Sequence, residues 1–556
     1  MKTPHSYLFN TLSCRFCLMT AAALFFFLLL SCARIRYLPP AEVTSPIVRI
    51  GILESKDEIR FTPHGAFYVV PLTSNERIRL QEEGVWTVTV GQSNPGISVF
   101  QISLYETSVK QNADEELIRL KQKGMNVALD AFGETLEFSS KTVVDRRIYR
   151  IVVQNEFASS EDAVNFKSGD ATWSNGRIVE KIKQLPSGFI LIKSPKGESY
   201  KADSGCRISG PVITLKDVDS GSGFHFEKTQ DRSYTGEMEI RLGNDGKLVA
   251  INVLPLESYL RGVVQGEMPD TFPVEALKAQ AVASRTYCLN RFGRSHQLEP
   301  FDFCDDVHCQ TFVGHSADSP DLANALAQTR GLVLTYNGEL CLTTYAAVCG
   351  GHSESAGNVW QSEGQPYLQG VYDVDPAKFK NVDFDLSSEE NISTWIRSEP
   401  DVFCNVSRGE NQQSVAYAKK YFRWEQRISR ADLEHIISKK TGENFGQLVD
   451  IIPGKRGVSG RLMEIKIIGT LKSFTISREL NIRRALSENA LYSACFIIEK
   501  IGGENRLADE FIFKGAGWGH GAGMCQIGAA KMAYGGYRFD RILSHYYRNT
   551  QLQALY

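Results

Sequence analysis

Glu267 is the residue of this sequence whose type and surroundings best suit acid chemistry. It stands in the stretch GEMPDTFPVEALKAQAVASRTY, between two predicted helices, and Met268, Pro269 and Phe272 follow it closely. Apolar neighbours that exclude water raise the pKa of a carboxyl group, and a raised pKa lets a general acid keep its proton near neutral pH. The positive N-terminal end of the following helix opposes this effect. Residue chemistry alone favours the simpler interpretation, in which Glu267 caps that helix.

Thiols and imidazoles at short spacing form a second chemical feature. They are Cys304, His308 and Cys309 in a C-x3-H-C arrangement, His296 just before them, and the more distant C-x2-H pair Cys349 and His352. Thiolate and imidazole are ligands that zinc prefers, so Cys304, His308 and Cys309 are candidate zinc ligands. A disulfide between Cys304 and Cys309 is the competing interpretation, because nearby cysteines outside the cytoplasm commonly pair. The sequence leaves zinc and disulfide equally open.

Three polar side chains are candidates for contacts near Glu267. Gln280 and Arg285 lie five residues apart on the predicted long helix, where bracing of a loop through backbone carbonyls is slightly favoured over contact with a bound substrate. Tyr367, in a PYL triplet, suits either a catalytic hydrogen bond near the acid or an ordinary buried tyrosine with a satisfied hydroxyl.

The glycine-rich segment GAGWGHGAGM offers a surface for a planar ligand. Its glycines permit positive φ and close backbone approach, Trp518 presents a flat face, and His520 can form a hydrogen bond. Gln526 follows early in the next predicted helix, and its side chain could reach a groove lined by the glycine-rich segment. Glycine clusters most often mark tight packing, and this one lacks the lysine and the strand-to-helix setting of a phosphate-binding loop.

The order of the predicted strands and helices that position these residues indicates an α+β fold, in which antiparallel sheet predominates. Residues 47–215 form β-branched and aromatic runs with one helix predicted over Asp114 to Lys123, and residues 155–188 are a looser stretch. From Gly236 onward we predict a hairpin, a short helix ending before Gly266, and a buried helix from Pro273 to about Phe292. We therefore predict a β-rich region of unknown role at 33–235 and a second domain, which contains Glu267, at 236–556.

The N-terminus predicts export. Lys2 and Arg15 precede the apolar run AAALFFFLLL, which is shorter than the roughly 20 residues of a spanning helix. The following LLSC resembles a bacterial lipobox, which implies cleavage before Cys32, acylation of its thiol, and a chain anchored to a membrane surface outside the cytoplasm. A plain secretory signal is the alternative. Residues 1–32 are thus predicted to be a lipoprotein signal peptide.

Charge and cysteine counts exclude some classes of protein. Lys and Arg total 62 against 64 for Asp and Glu, so the chain lacks the positive field of nucleic-acid binders and no nucleic-acid partner is expected. Of 12 cysteines, Cys14, Cys17 and Cys32 fall in the signal region, which leaves nine. An odd number in an oxidising compartment implies at least one free thiol or a pairing with another chain.

The segment LPLESYLRGVVQGEMPDTFPVEALKAQAVASRTY resembles the signature of the sporulation stage II protein D (SpoIID) family and its amidase-enhancer relatives. The resemblance continues in FDFCDDVHCQTFVG, TRGLVLTYNG, YAAVCGGHSES, QPYLQGV, RGVSGRLMEIKIIG and GAGWGHGAGMCQIGAAKMAYGGY, over most of residues 236–556. It implies a peptidoglycan lytic transglycosylase whose catalytic glutamate is that of the EMP triplet, Glu267, acting on glycan stripped of stem peptides. It also implies that the glycine-rich segment lines the glycan groove, and that zinc beside the active site is a property of some members.

In the chemistry that the resemblance implies, a single carboxyl serves first as acid and then as base. The carboxyl protonates the oxygen leaving N-acetylmuramic acid and then takes the proton from the C6 hydroxyl of that sugar, which closes to a 1,6-anhydro ring. Hydrolysing glycosidases usually need two carboxylates, whereas Asp270, Glu257 and Glu275 read as capping or surface residues. The rival interpretation is a non-catalytic peptidoglycan-binding protein that stimulates an amidase or joins a division complex. A zinc hydrolase is the least favoured, since the sequence has no H-E-x-x-H arrangement.

Overall fold

A computed structural model describes residues 45–556 except 75, 140–141, 316, 318, 376–384, 408–411 and 504–506. The predicted signal peptide and the lipobox cysteine lie outside the described residues. Residues 43–556 cluster as a single unit by their contacts. The α+β class with mainly antiparallel sheets is confirmed.

The first part of the described chain is rich in strands, as predicted. These strands are β1 (Ile47–Lys56), β2 (Glu58–Pro63), β3 (Phe67–Pro71), β4 (Ile78–Leu80), β5 (Trp86–Asn94), β6 (Ile97–Thr107), β7 (Val127–Phe132), β8 (Thr135–Ser139), β9 (Thr142–Asp145), β10 (Ile148–Val153), β11 (Arg177–Gln184), β12 (Ser187–Lys193), β13 (Ser199–Asp203), β14 (Gly205–Ser209), β15 (Ile213–Ser220) and β16 (Lys228–Tyr234). Helix α1 (Lys110–Gln122) matches the predicted helix, and α2 (Ser160–Ser168) lies in the stretch that we read as loose. Ser159 starts α2 by accepting a hydrogen bond from the Asp162 amide, a cap that weak hydrophobic periodicity concealed.

The second part alternates short sheets with helices. Its strands are β17 (Glu237–Leu242), β18 (Leu248–Pro255), β19 (Phe303–Cys304), β20 (Leu332–Tyr336), β21 (Glu339–Leu340), β22 (Tyr345–Ala346), β23 (Trp424–Ser429), β24 (Leu448–Pro453), β25 (Glu464–Gly469), β26 (Ser473–Ser477), β27 (Phe496–Ile501), β28 (Glu510–Gly515), β29 (Met524–Cys525) and β30 (Gln551–Ala554). Its helices are α3 (Leu256–Glu267), α4 (Val274–Arg291), α5 (Pro320–Gln328), α6 (Ala356–Trp360), α7 (Glu389–Arg397), α8 (Lys419–Phe422), α9 (Arg430–Thr441), α10 (Glu479–Ala485), α11 (Gln526–Tyr534) and α12 (Phe539–Tyr546).

One sheet joins strands from both sides of the boundary predicted at residue 235. Its order is β19-β1-β18-β17-β14-β3-β4, with β1 antiparallel to β18 and parallel to β19. The hairpin of β17 and β18 is present where we predicted it. The domain boundary itself stays a prediction, but the paired backbones show that the two regions share hydrogen bonds as well as a hydrophobic core.

Helix α4 is the central element beneath the candidate site. Pro273 is its N-cap and Phe292 its C-cap, close to the predicted ends. Every residue from Ala276 to Thr286 is buried, because α3, α5, α11, α12 and β20 surround this helix. The predicted burial of this helix is confirmed: a helix packed on all sides has no solvent face, and its alanines allow the neighbours to approach closely.

Candidate active site

Glu267 is the last residue of α3, not a loop residue as predicted. The helix runs one residue past Gly266, and Met268 is its extended C-cap. The next helix begins after Pro273 without a side-chain cap, so neither Glu267 nor Asp270 caps it. The negative end of the α3 dipole therefore lies at Glu267 and favours the protonated carboxyl, the opposite of the effect expected from the following helix.

The carboxyl of Glu267 is half-buried and has uncharged hydrogen-bond partners. Its Oε1 accepts a 2.7 Å hydrogen bond from the Thr311 backbone N–H, and its Oε2 lies 3.4 Å from the donating Nε2 of Gln526. Burial raises the pKa of Glu267, and hydrogen bonds from Thr311, Gln526 and Tyr345 only partly oppose this. The site therefore favours a carboxyl that holds its proton to a higher pH than an exposed glutamate does.

The loop that carries Thr311 is held by a buried ion pair. Arg232 donates from Nη1 to Asp305 Oδ2 at 3.0 Å and to the Phe312 carbonyl at 3.2 Å. These bonds tie both ends of residues 305–312 to one guanidinium. The Thr311 amide is thus fixed against the acid before any ligand binds, as electrostatic preorganisation requires.

Tyr345, in β22, lies near Glu267 although the two residues are far apart in sequence. Its hydroxyl donates to Gln310 Oε1 at 2.9 Å and accepts from Ser284 Oγ at 3.4 Å, and it lies close enough to Glu267 to lower the pKa of that carboxyl. Burial, with the nearby carboxyl of Glu267 second, raises the pKa of Tyr345 well above its usual range. Tyr345 therefore stays a neutral phenol that can donate a hydrogen bond.

Two glutamines extend this network into α4 and α11. Gln280 donates from Nε2 to Ser284 Oγ at 2.9 Å, and Gln526 Nε2 lies 3.4 Å from Gln280 Oε1. Gln280 is fully buried, so it supports Gln526 rather than facing a groove. The structure thus brings Gln526 to Glu267, whereas we had predicted that it reaches the groove of the glycine-rich segment, and Gln280 is linked to Glu267 through Gln526.

Three residues of the site were missed from the sequence. Gln310 and Thr311 lie in FDFCDDVHCQTFVG, and Tyr345 begins YAAVCGGHSES, so the family-like segments contained them. None of them was singled out, because a backbone amide, an amide side chain and a phenol carry no charge or spacing that marks a site. Only the fold shows that they meet.

The structure does not bring Tyr367 to Glu267. Its hydroxyl accepts a 2.8 Å hydrogen bond from the Leu342 backbone N–H, and its ring packs against Tyr336. Burial raises the pKa of Tyr367 to about 12. This geometry corresponds to the ordinary buried tyrosine with a satisfied hydroxyl.

Arg285 is likewise placed away from the acid. It forms a bidentate pair with Glu257, with N–O distances of 2.7 and 2.8 Å, and donates to the Leu332 carbonyl at 3.1 Å. The predicted surface position of Glu257 is wrong, since Arg285 and the Tyr556 hydroxyl both hold its carboxyl. Arg285 thus braces α3 against α4 and β20, the alternative that we slightly favoured.

The glycine-rich loop packs its aromatic residue against other rings. Trp518 stacks on Tyr421 with centroids 4.3 Å apart, and His225 lies 5.3 Å away. His520 packs against the exposed Trp360, and burial lowers the pKa of His520 to about 4. The Tyr345 backbone partly opposes this lowering of the His520 pKa, so a neutral imidazole lies next to the network around Glu267.

The predicted thiol and imidazole cluster converges in space. The ligand atoms of His296, Cys304, His308 and Cys309 all lie within 4.8 Å of one another, with His296 Nε2 at 3.3 Å from Cys309 Sγ. Two thiols and two imidazoles form a donor set of structural zinc sites, so these residues fit a zinc ion. Their loop continues directly into Gln310 and Thr311, which would tie such an ion to the acid's partners.

Cys349 and His352 do not form a pair. His352 Nδ1 binds the Ser353 carbonyl and its ring packs on Tyr372, while Cys349 turns to a different group of side chains. The side chains of Cys349 and His352 thus have separate partners, and the C-x2-H spacing does not bring them together.

Among the described residues, we find no helix long and apolar enough to cross a bilayer.

Sequence comparisons relate this chain to known families and proteins. Residues 244–336 match the family described as Stage II sporulation protein, and residues 354–523 match a domain of unknown function (DUF8618). An uncharacterized protein of Brachyspira hyodysenteriae is 27% identical over 319 residues, covering 57% of this chain and 72% of that protein.

Two Bacillus subtilis proteins are similar to the same extent. Stage II sporulation protein D is 27% identical over 321 residues, covering 54% of this chain and 76% of that protein. The amidase enhancer is 28% identical over 306 residues, covering 53% of this chain but only 40% of the enhancer. The matched stretch 244–336 contains Glu267, Thr311 and the thiol and imidazole cluster, so the chain is similar to the Stage II sporulation protein family over the residues that surround Glu267.

Proposed function

We propose that this chain is a peptidoglycan lytic transglycosylase with Glu267 as its acid and base. The observation that carries the proposal is the environment of Glu267: a half-buried carboxyl with a raised pKa whose hydrogen-bond partners are all uncharged. Its position within the SpoIID-family match, and the names of the similar proteins, support a role at the cell wall.

The two carboxyl oxygens take different roles in this mechanism. Oε1 accepts the shorter bond from Thr311, so the proton is carried by Oε2, beside Gln526. That proton passes to the glycosidic oxygen as the bond to C1 of N-acetylmuramic acid breaks. Oε2 then takes the proton of the C6 hydroxyl, whose oxygen bonds to C1 and closes the 1,6-anhydro ring. The acid ends protonated, ready for another cycle.

Uncharged partners suit this use of one group in both directions. The amides of Thr311 and Gln526 and the phenol of Tyr345 stabilise the carboxylate formed after the first transfer without holding it permanently ionised. A hydrolase would need a second carboxylate for water or for a covalent intermediate. The substrate class that we propose is glycan stripped of stem peptides.

The setting of the enzyme is part of the proposal. We propose that the chain is exported, anchored through a lipid on Cys32, and holds a structural zinc ion at Cys304, His308, Cys309 and His296. The donor set supports the zinc, and the apolar run before LLSC supports the anchor. Zinc there would fix the loop of Thr311, and the chemistry at the acid does not involve it.

Stimulation of an amidase partner is the second candidate. It is favoured by the similarity to the Bacillus subtilis amidase enhancer. A stimulating protein needs a glycan-binding surface but has no need for a carboxyl with a raised pKa.

Mass spectrometry of digestion products tests the proposal. The purified full chain, incubated with peptide-free glycan strands, is expected to release 1,6-anhydromuramyl ends, and Glu267→Gln is expected to abolish this while still binding glycan. Glu390→Gln, an exposed position on α7, is the matched control and keeps full activity. Reducing-end products would contradict the lyase chemistry, and activity retained in Glu267→Gln would contradict the role of that carboxyl.

A further inference from the structure

A second group of metal-binding side chains lies outside the cluster described above. Cys349, Asp373, Cys404 and Cys525 come from four separate segments of the chain, and their ligand atoms all lie within 4.8 Å of one another. Each is at most 2% exposed. Four ionisable groups that meet without solvent can be ionised together only with a cation among them, because an uncompensated buried charge is costly.

The donor atoms match the chemistry of zinc. Thiolate and carboxylate both bind this ion, at about 2.3 Å from sulfur and about 2.0–2.2 Å from oxygen. Two sulfurs on one tetrahedral zinc lie about 3.8 Å apart by that geometry. The Sγ atoms of Cys349 and Cys404 are 3.6 Å apart. A disulfide would join only two of the three sulfurs and leave a buried thiol and a buried carboxyl unexplained.

Surrounding groups already hold two of the four side chains in position. Cys525 Sγ accepts from the backbone N–H groups of Cys349 at 3.2 Å and Gly528 at 3.4 Å. Cys525 is also the N-cap of α11, where the helix dipole favours a thiolate. Such outer partners orient metal ligands.

Asp373 is oriented in the same way. Its Oδ1 accepts a 2.6 Å hydrogen bond from the Tyr546 hydroxyl, and its Oδ2 accepts a 2.9 Å hydrogen bond from the Cys404 backbone N–H. Each oxygen keeps a lone pair for a cation. The carboxylate is therefore both fixed and able to bind.

We propose that Cys349, Asp373, Cys404 and Cys525 form a structural zinc site, distinct from the cluster at Cys304. Four buried protein ligands leave no open position for water or substrate, which is the mark of a structural site. The ion joins the segments around residues 349, 373 and 404 to the start of α11. Gln526, whose amide contacts Glu267, is the residue directly after Cys525, so the ion fixes one partner of the acid from behind.

Zinc content measured by elemental analysis tests this site without any activity assay. The full-length double variant Cys304→Ser, Cys309→Ser removes the other cluster, so remaining zinc reports on this one. We expect about one zinc ion per chain in that background, and none after adding Cys404→Ser. Adding Cys206→Ser, another buried cysteine, is the matched control and keeps the ion.

A second measurement guards against misfolding of the double variant. In the otherwise native chain, Cys404→Ser and Asp373→Asn are each expected to hold one zinc ion fewer than Cys206→Ser, with unchanged circular dichroism. Cobalt added to the metal-free double variant is expected to give the visible bands of tetrahedral cobalt, and Cys404→Ser to remove them.

Either of two results overturns the site. One is equal zinc content in folded Cys404→Ser and folded Cys206→Ser. The other is a wild-type mass that rises by two hydrogens on reduction, with the bond mapped to two of these three cysteines. Because the measurements count metal, they stand whether or not the chain cleaves glycan.

Discussion

Replacing Arg285 with Met separates a bracing role from a glycan-binding role for this side chain. Arg285 is fully buried and gives two hydrogen bonds to Glu257 and one to the Leu332 carbonyl. Removing the guanidinium leaves the mostly buried carboxylate of Glu257 with the Tyr556 hydroxyl and the weaker electrostatic influence of Arg330. Breaking a buried ion pair from one side costs about 3–5 kcal/mol.

The double variant Arg285→Met, Glu257→Leu removes both charges. It is expected to recover most of the lost stability, because apolar residues of similar size replace buried pairs at little cost. Arg538→Met, at an exposed pair with Asp540, is the matched control and is expected to cost less than about 1 kcal/mol. The effects of Arg285→Met and Glu257→Leu on the free energy of unfolding are therefore expected to be strongly non-additive.

Urea unfolding followed by circular dichroism measures the stability, and co-sedimentation with peptide-free glycan measures binding. The bracing role predicts that Arg285→Met lowers the unfolding midpoint and that glycan binding by the folded fraction is unchanged. A variant with native stability and weakened glycan binding would refute the bracing role and restore Arg285 as a substrate contact.

Three further predictions concern the acid and the anchor. Because burial raises the pKa of Glu267 and the protonated form is the acid, glycan cleavage is expected to fall as pH rises through that raised pKa. Gln526→Leu removes a hydrogen-bond donor to the ionised carboxyl, so the descending limb of the pH profile is expected to move to higher pH. A move to lower pH would contradict the contact between Gln526 and Glu267. Tyr345→Phe removes the hydroxyl that lies 2.9 Å from Gln310 Oε1, and it is expected to lower kcat about tenfold, measured by product release. An unchanged unfolding midpoint would show that the lower kcat does not come from a loss of stability. Cys32→Ser is expected to move the chain from the membrane fraction to the soluble fraction on immunoblots, and persistent membrane association would contradict the lipid anchor.

Features set by neighbouring residues could be read from the sequence. The hairpin of β17 and β18 follows from alternation around a turn, and α4 begins at the residue after Pro273, as proline at a helix start predicts. The turn between β20 and β21 lies at Asn337 and Gly338, both at positive φ, as predicted for that dipeptide.

Features set by distant residues could not. The pairing of β1 with β18 joins segments about two hundred residues apart, and alternation along either strand does not name its partner. Tyr345 reaches Glu267 only because β22 runs parallel to β29, which also carries Gln526 to the acid. The family resemblance therefore singled out Glu267, whereas the contacts that Thr311 and Tyr345 make around its carboxyl could not be read from the sequence.

The two thiol clusters show the same division in one kind of site. Cys304, His308 and Cys309 are close in sequence, so a single loop gathers them and spacing alone predicts the cluster. Cys349 has a close neighbour in His352, yet its partners are 24, 55 and 176 residues away, brought by three different segments. A site of this second kind can form only after those segments have packed, so its metal would stabilise the finished fold rather than one loop. Because Cys525 is the N-cap of α11, such a metal would also fix the start of the helix whose Gln526 contacts Glu267.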